Sequence, residues 1–158
     1  MTGGSPQPSG RPRFSADRNL GRLARWLRLL GYDTRFLAAS TRATLLAERE
    51  AGRTVLTRLR SLQGEPGVVF IAADSPSEQL RQLAAALPLE AEPRLSRCSV
   101  CNTPLAPAPA QEVEARVPEH VRLTQRRFRR CPTCGRIYWP GSHLERMRAH
   151  LAQALAGP

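Results

Sequence analysis

The segment FSADRNLGRLARWLRLLG, residues 14–31, joins a short strand to a helix and decides the class of fold. Residues 13–16 predict a strand, and Asp17 follows directly at its end. Leucines then recur at spacings of three and four residues, which is the pattern of a helix with one buried face. Gly31 is a natural residue just beyond the end of such a helix. The segment therefore predicts a strand, an acid and an amphipathic helix in succession.

The same alternation of strands and helices continues along the chain. Strands are predicted at 34–38, 54–57 and 68–72, with the last apolar enough to be a central strand. Helices are predicted at 41–51 and from a capping box at Ser75 to about residue 87. This order predicts an α/β fold with a doubly wound, mainly parallel sheet. The expected core consists of Leu20, Leu23, Leu27, Leu30, Val55, Leu56, Val69, Ile71, Leu80 and Leu83.

Charge is distributed unevenly over the 158 residues. The formal net charge is +11, and all 24 cationic residues are arginines. Residues 11–35 contain seven arginines and two acids, and residues 116–148 contain nine arginines and two acids. The segment between them is near neutral. Genome composition is one explanation for the preference for arginine, but a guanidinium group binds phosphate bidentately whatever its origin. The distribution favours a nucleic-acid partner over a membrane surface or an acidic protein.

Other classes of protein are disfavoured by composition. No run of 18 apolar residues occurs, so no membrane span is predicted. Residues 1–12 lack an apolar core and predict a flexible tail rather than a signal peptide. Together with cysteine pairs of metal-binding type, this favours a cytoplasmic location.

Four cysteines form two CxxC pairs separated by 29 residues. Two thiolates from each pair can reach one ion, and four complete a closed tetrahedral zinc site; the ligands are Cys98, Cys101, Cys131 and Cys134. Two disulfides or a redox pair are the less favoured alternatives. Gly135 provides the turn that the second pair needs. Because all four positions are taken by sulfur, the zinc is expected to be structural.

The chain is expected to divide into four segments. A tail at 1–12 precedes the α/β domain at 13–92, and a zinc ribbon follows at 93–141 with a Pro/Ala linker at 106–110. A closing helix at 142–158 is expected to open on a capping box of Ser142 and Glu145 and to pack back on the domain.

Several side chains of the ribbon have two interpretations. Tyr138 and Trp139 could stack on bases, but packing is favoured. His143 could be a ligand or a base, but an ordinary histidine at a helix start is favoured. The arginines on both sides of Phe128 could contact RNA or form a solvated strand, and the sequence does not favour either.

Three regions of the chain together resemble a known family. They are FSADRNLGRLARWLRLLGYDT at 14–34, GRTVLTRLRSL at 52–62, and the ribbon segments RCSVCNTPL at 97–105 and CGRIYWPGSH at 134–143. These regions look like the mutator-seven C-terminal RNase domain, a PIN-like nuclease domain that carries a zinc ribbon. The resemblance covers roughly residues 14–150. It implies a site of three or four carboxylates, at the carboxyl ends of the strands, that holds Mg²⁺ or Mn²⁺.

The sequence retains only part of that carboxylate site. Asp17 matches the family's first acid and Asp74 follows the fourth strand, whereas Asp33 precedes its strand and is expected to be a turn or capping residue at the opposite edge. The family usually has an acid at the start of the second helix, where this chain has Ser40, Thr41 and Arg42. It also usually has TRD after the third strand, where this chain has Thr57, Arg58 and Leu59. Glu48 or Glu78 could substitute for a missing acid.

The sequence therefore predicts an RNA-binding protein of PIN-like ribonuclease ancestry. Structured RNA such as tRNA or ribosomal RNA is the expected partner, held by Arg18, Arg22, Arg25, Arg58, Arg126, Arg127, Arg129 and Arg130. One alternative is an active endoribonuclease that uses Asp17 and Asp74 with Mg²⁺ or Mn²⁺. A second alternative is an adaptor whose ribbon docks on a protein or on the ribosome. Enzymatic activity and oligomeric state are left open by the sequence.

Overall fold

Four short parallel strands form the main sheet of the computed structural model, which describes residues 11–90 and 94–156 except the side chains of Ser142 and His143. The strands are β1 (Phe14–Ala16), β2 (Thr34–Phe36), β3 (Thr54–Thr57) and β4 (Val68–Phe70), in the order β2-β1-β3-β4. Helices α1 (Gly21–Leu29), α2 (Arg42–Glu50) and α3 (Pro76–Ala86) alternate with them. The predicted α/β class with a parallel sheet is confirmed. Most of the predicted tail, residues 1–10, lies outside the described residues.

Two apolar clusters cover the two faces of this sheet. The larger cluster joins Phe14 and Ala16 to the leucines of α1 and α3. The smaller one joins Val55 to Leu45 of α2 and to Leu62, which closes a 3₁₀ turn after β3. Helices thus lie on both faces, as expected for a doubly wound sheet.

The prediction that the fourth strand is central was wrong. In the described sheet β4 lies at one edge, and β1 and β3 occupy the centre. All three residues of β4 are only half-buried, and Val69 packs on the large cluster without being enclosed by it. An apolar run does not distinguish a central strand from an edge strand with a helix beside it. Here Gln82 of α3 donates to the carbonyl of Phe70 in β4 at 3.1 Å.

A second, antiparallel sheet surrounds the cysteines. Its strands are β5 (Ala106–Pro107), β6 (Arg129–Arg130) and β7 (Ile137–Tyr138), in the order β5-β6-β7. Two short helices, α4 (Ala110–Arg116) and α5 (Glu119–Thr124), lie between β5 and β6. The predicted linker at 106–110 was therefore wrong, because its first residues pair with β6 and its last begins α4. Proline tolerates an edge position of this kind.

The closing helix α6 (Ser142–Leu155) packs against the main sheet's helices. Met147, Leu151 and Ala154 join the large apolar cluster, and His150 meets Trp26 of α1 edge-to-face with ring centroids 5.3 Å apart. The N-cap residue is Gly141, so Ser142 is the first helical residue and not the predicted cap. None of the helices in the described part of the chain has the length and apolar character needed to cross a lipid bilayer.

The ribbon is clamped to the amino edge of the main sheet, which is the edge where the parallel strands begin. There Arg53 binds both carboxylate oxygens of Asp33 at 2.8 Å, and the amide of Asn102 donates to the same carboxylate at 2.8 Å. The carbonyl of the Asn102 side chain accepts from the backbone N–H of Thr34 at 3.0 Å. Asp33 thus lies at the edge predicted for it, and its role is to join three segments.

Arg28 of α1 forms a second link between the main domain and the ribbon. It is buried, and its guanidinium donates to the carbonyls of Thr34, Ser99 and Val100 at 2.9–3.0 Å. Arg28 lies off the leucine stripe that the sequence predicts for α1, where an exposed side chain would be expected, but the ribbon covers it. Periodicity identifies the polar face of a helix but not what later covers it.

Candidate functional site

The four cysteine sulfurs lie close enough together to hold one metal ion. Their Sγ atoms are all within 4.8 Å of one another, and the Cys98 and Cys134 sulfurs are 3.7 Å apart. A zinc tetrahedron with Zn–S bonds of about 2.3 Å has edges of about 3.8 Å, so the spacing fits this ion. Zinc would join the two CxxC turns as a structural ion, because the sulfurs fill its coordination sphere.

The charges on the sulfurs also favour a cation. Desolvation opposes the Cys134 thiolate, but hydrogen bonds from Arg136 outweigh it and lower the pKa of Cys134 to about 6. Desolvation and a hydrogen bond with Cys134 raise the pKa of Cys101 to about 12. The sulfurs therefore resist becoming four thiolates together, and a divalent ion is what allows all of them to deprotonate.

Tyr138 supports the site from the neighbouring strand. Its hydroxyl lies 3.1 Å from the Cys98 sulfur and accepts from the backbone N–H of Ser99 at 3.2 Å. Desolvation, followed by the hydrogen bond to Cys98, raises the pKa of Tyr138 to about 12, so the hydroxyl keeps its proton for the sulfur. A base-stacking role is thereby disfavoured for Tyr138. Trp139 packs near Phe128, with ring centroids 6.0 Å apart.

The two cysteine turns use the same left-handed backbone position differently. Gly135 follows the second pair with φ of 79°, as the sequence predicted. Asn102 occupies the matching position after the first pair with φ of 65°, and its side chain forms the clamp to Asp33 and Thr34. Sequence reasoning missed Asn102, although the pairing of CxxCN with CxxCG pointed to it, since asparagine tolerates this conformation best after glycine.

At the carboxyl edge of the main sheet, where the parallel strands end, Asp17 is buried and fixed. One carboxylate oxygen accepts from the Thr57 hydroxyl at 2.8 Å and from the backbone N–H of Arg58 at 2.7 Å. The other accepts from the backbone N–H of Asn19 at 2.8 Å. Three donors thus hold the carboxylate between β1 and β3, in the position that the sequence predicted for an acid.

Asp74 lies at the same edge but is paired with an arginine. The Arg58 guanidinium donates to Asp74 at 2.8 Å and also to the carbonyl of Ala73. The Asp74 side chain is 93% exposed, whereas that of Arg58 is 30% exposed. Arg58 therefore binds both acids of this edge, Asp17 through its backbone and Asp74 through its side chain.

Leu59 lies outside this constellation of charges. It is half-buried and packs on the cluster of Leu45, Val55 and Leu62 at the α2 face of the sheet. Its backbone N–H donates to the Thr57 hydroxyl at 3.0 Å, so the main chain still turns at this point. An apolar residue here contributes to the core instead of supplying a ligand.

The other candidate acids differ in availability. Glu48 accepts from the Ser15 hydroxyl at 2.9 Å and pairs with Arg35 at 3.1 Å. Glu78 is exposed in the first turn of α3, where its backbone N–H donates to the Ser75 cap. Within the described residues, only the four cysteines form a group of three or more acid, His or Cys side chains that meets the distance expected for one ion. Asp17 and Asp74 are both held by donors of the chain, and no third described carboxylate joins them at the distance expected for one ion.

Of the eight predicted phosphate-binding arginines, Arg58 pairs with Asp74 and the other seven fall into two groups. Arg18, Arg22 and Arg25 are exposed on the loop after β1 and on α1. Arg126 and Arg127 are exposed before β6, beside a groove of about 610 Å³ that Arg94 also lines. The remaining two arginines of this run, Arg129 and Arg130, are half-buried and contact other residues of the ribbon.

Those two arginines make specific contacts. Arg129 donates to the carbonyl of Leu95 at 3.3 Å, and Arg130 pairs with Glu112 of α4 at 2.6 Å. The distinction was missed because a run of arginines in a sequence does not show which members a neighbouring helix will engage.

Comparison with known proteins gave one match, to a family model. Neither the curated proteins nor the solved structures compared with this chain gave a match. A family model described as the Mut7-C RNAse domain matches residues 12–151, which is most of the chain and includes both edges of the sheet and all four cysteines. The protein belongs to the Mut7-C RNAse domain family.

Proposed function

We propose that this protein binds RNA at the carboxyl edge of its main sheet and along its ribbon, without cutting it. The observation that carries the proposal is the position of Arg58. Its guanidinium pairs with Asp74 while its backbone N–H binds Asp17, so donors of the chain already bind both acids. A positive charge beside a reduced set of carboxylates disfavours a divalent cation and favours phosphate.

The missing acid supports the same conclusion. Leu59 packs into the apolar cluster on the α2 face, and Arg42 donates to the carbonyl of Ser61 at 2.6 Å. The positions where the family resemblance implies acids therefore serve the fold here. Arg18, Arg22, Arg25 and Arg60 remain exposed. Exposed guanidinium groups bind phosphates and release counterions, which is the usual source of affinity for RNA.

The ribbon supplies a second set of contacts in this proposal. Arg126 and Arg127 are exposed beside the groove that Arg94 lines. Zinc holds the ribbon's two cysteine turns together and supplies no chemistry to the RNA. The proposed location of the protein is the cytoplasm, and tRNA or ribosomal RNA is its proposed partner.

A metal-dependent endoribonuclease is the second candidate function. It is favoured by the fixed carboxylate of Asp17 and by the exposed carboxylates of Asp74 and Glu78 near the same edge. This candidate requires Arg58 to leave Asp74.

The test is incubation of the zinc-loaded protein with a mixed pool of tRNA and ribosomal RNA, with Mn²⁺ or with EDTA, beside an Asp17→Asn variant. The proposal expects RNA to be bound and intact in every arm. Cleavage that requires both Mn²⁺ and Asp17 would establish the endoribonuclease instead. Affinity that is weak and non-specific even at low salt would favour an adaptor that docks on a protein.

The contact surface is tested by the salt dependence of binding. Replacing Arg18, Arg22 and Arg25 with Gln is expected to weaken binding and to lower the slope of log K against log salt by about 2 to 3, since about 0.7–0.9 counterions are released per phosphate contact. Arg81→Gln is the matched control, an exposed arginine on α3. If the salt slope falls by the same amount per removed charge in Arg81→Gln, the RNA contacts do not lie specifically at Arg18, Arg22 and Arg25.

For the ribbon, replacing only Arg126 and Arg127 with Gln is the sharper experiment. Replacing Arg130 as well would break its ion pair with Glu112 and confuse lost binding with lost structure. The double variant is expected to lower the salt slope while the protein keeps its zinc. An unchanged slope would remove the ribbon from the proposed surface.

A further inference from the structure

Phe36 is an aromatic residue that the fold leaves exposed. It is the last residue of β2 and is 42% exposed. The other large apolar side chains classed as exposed among the described residues, Val100 and Leu123, are aliphatic. Phe36 belongs to neither of the two apolar clusters that cover the sheet. Core packing therefore does not account for an aromatic side chain at this position.

The position of Phe36 is at the carboxyl edge. It pairs in register with Ala16, the residue before Asp17. A Cβ added to Gly21 would lie 3.5 Å from the ring's Cε1, which places the ring beside the first residue of α1. The ring thus adjoins the arginine-bearing start of α1, near the candidate RNA surface.

Cationic residues accompany the exposed ring. Arg18 and Arg22 are both exposed, and the first turn of α1 contains no acid. The backbone N–H of Arg18 donates to the Ser40 hydroxyl at 2.8 Å, which ties the loop after β1 to the loop that follows Phe36. An aromatic side chain among guanidinium groups is the composition of surfaces that hold single-stranded nucleic acids.

We propose that Phe36 stacks on an unpaired base of the bound RNA, whose phosphates the neighbouring arginines hold. The inference rests on the proposed RNA-binding function and adds which part of the RNA is recognised, namely an unpaired base in a loop or at an end. Bases within a duplex are stacked on both faces and cannot offer one to the ring, whereas bases in loops and at ends can. Arginine contacts alone would not distinguish the two forms, because both present phosphates.

The experiment compares two probes, a short single-stranded oligoribonucleotide and a perfect duplex of the same sequence, on the zinc-loaded full chain. Phe36→Ala is expected to weaken binding of the single strand about tenfold, as for the loss of one stacking side chain. Binding of the duplex and the salt slope for both probes should not change, since no charge is lost. Phe36→Tyr should retain affinity, because its ring also stacks.

Leu123→Ala is the control, because Leu123 is an exposed apolar side chain on α5, 78% exposed, and should change neither affinity. Thermal unfolding of each variant checks that the fold is retained. Equal weakening of both probes by Phe36→Ala, or no weakening of either, would overturn the stacking role while leaving RNA binding intact. Absence of RNA binding by the unmodified protein would overturn the proposed function and this inference together.

Discussion

The two edges of the main sheet each pair an aspartate with an arginine, but in opposite ways. At the amino edge, Arg53 is 5% exposed and grips both oxygens of Asp33, whose remaining capacity is used by Asn102. At the carboxyl edge, Arg58 binds one oxygen of Asp74, and that side chain is 93% exposed. The first pair lies beside the docked ribbon, with the Asp33 side chain only 22% exposed, whereas the Asp74 side chain of the second pair faces solvent.

The same two residue types thus stabilise the fold at one edge and remain available to a ligand at the other. A buried pair whose partner groups are all satisfied cannot exchange partners without leaving a charge unpaired. An exposed pair exchanges readily, because water and salt replace the lost partner. A phosphate or a cation can therefore compete for Arg58 or Asp74, but not for Arg53 or Asp33.

Removing zinc is expected to have the largest effect and to act on the amino edge alone. Cys131→Ser should lose the ion and the ribbon's order, since structural zinc contributes about 10–16 kcal/mol in comparable small domains. Hydrogen exchange gives the measurement. The Thr34 amide, which donates to Asn102, should lose protection, while the Arg58 amide, which donates to Asp17, should keep it.

Pro132→Ala is the matched control, because it alters the same cysteine turn without touching a sulfur, and it should keep about one zinc per chain. Equal loss of protection at both amides in Cys131→Ser would show that the two edges are not independent. Metal analysis that finds no zinc in the unmodified protein would contradict the assignment of the site.

Replacing Arg53 and Arg58 one at a time with Met tests the difference between the two edges directly. Arg53→Met should lower the free energy of unfolding by about 3–5 kcal/mol, because it removes a buried cation and leaves the largely buried Asp33 carboxylate unpaired. Loss of the exposed Arg58–Asp74 ion pair in Arg58→Met should lower the free energy of unfolding by less than about 1 kcal/mol. Urea unfolding at neutral pH measures both. Similar losses in the two variants would mean that the edges do not differ as their exposure indicates.

Acid should produce the smallest of these effects, again at the amino edge. Burial acts to raise the pKa of Asp33, but hydrogen bonds from Arg53 and Asn102 outweigh it and hold the pKa below its usual value. A carboxyl group with a depressed pKa stabilises the fold above its unfolded pKa of about 3.9, and the contribution is lost as the pH falls through the lower folded value.

The measurement compares urea midpoints of the unmodified protein and of Asp33→Asn as the pH is lowered from 7. The unmodified protein should be more stable at pH 7, and the difference should shrink below about pH 4. Both proteins carry the same cysteines, so acid release of zinc affects them alike and does not create the difference. A gap that is constant with pH would show that the charge of Asp33 contributes nothing.

The sequence predicted the elements of the main sheet well, because each depends on local patterns. The leucine spacing of α1, the cap at Ser75 and the glycines at 31 and 135 all act within a few residues, and each is found as expected. The position of Asp33 before its strand also placed it correctly, since the ends of parallel strands define the two edges of a sheet.

What the sequence could not provide depends on contacts between distant segments. In the sequence Arg28 cannot be told apart from the other arginines of α1. Only the fold brings the carbonyls of Ser99 and Val100 to it as hydrogen-bond acceptors. Arg130 likewise cannot be told apart from Arg126 in the sequence, and only the fold pairs Arg130 with Glu112. At the candidate site, the substitution of Leu59 was visible in the sequence, but the pairing of Arg58 with Asp74 was not, because it joins the ends of two strands.

The clamp formed by Asn102 has a consequence for the order of folding. Its bonds reach back across 68 and 69 residues to Thr34 and Asp33, and those of Arg28 span 71 and 72 residues to Ser99 and Val100. Contacts at such separations form late, because the intervening chain must first lose its freedom. During synthesis the sheet emerges long before the second cysteine pair. We therefore expect capture of a metal ion by the four cysteines to be the event that completes the sheet's starting edge.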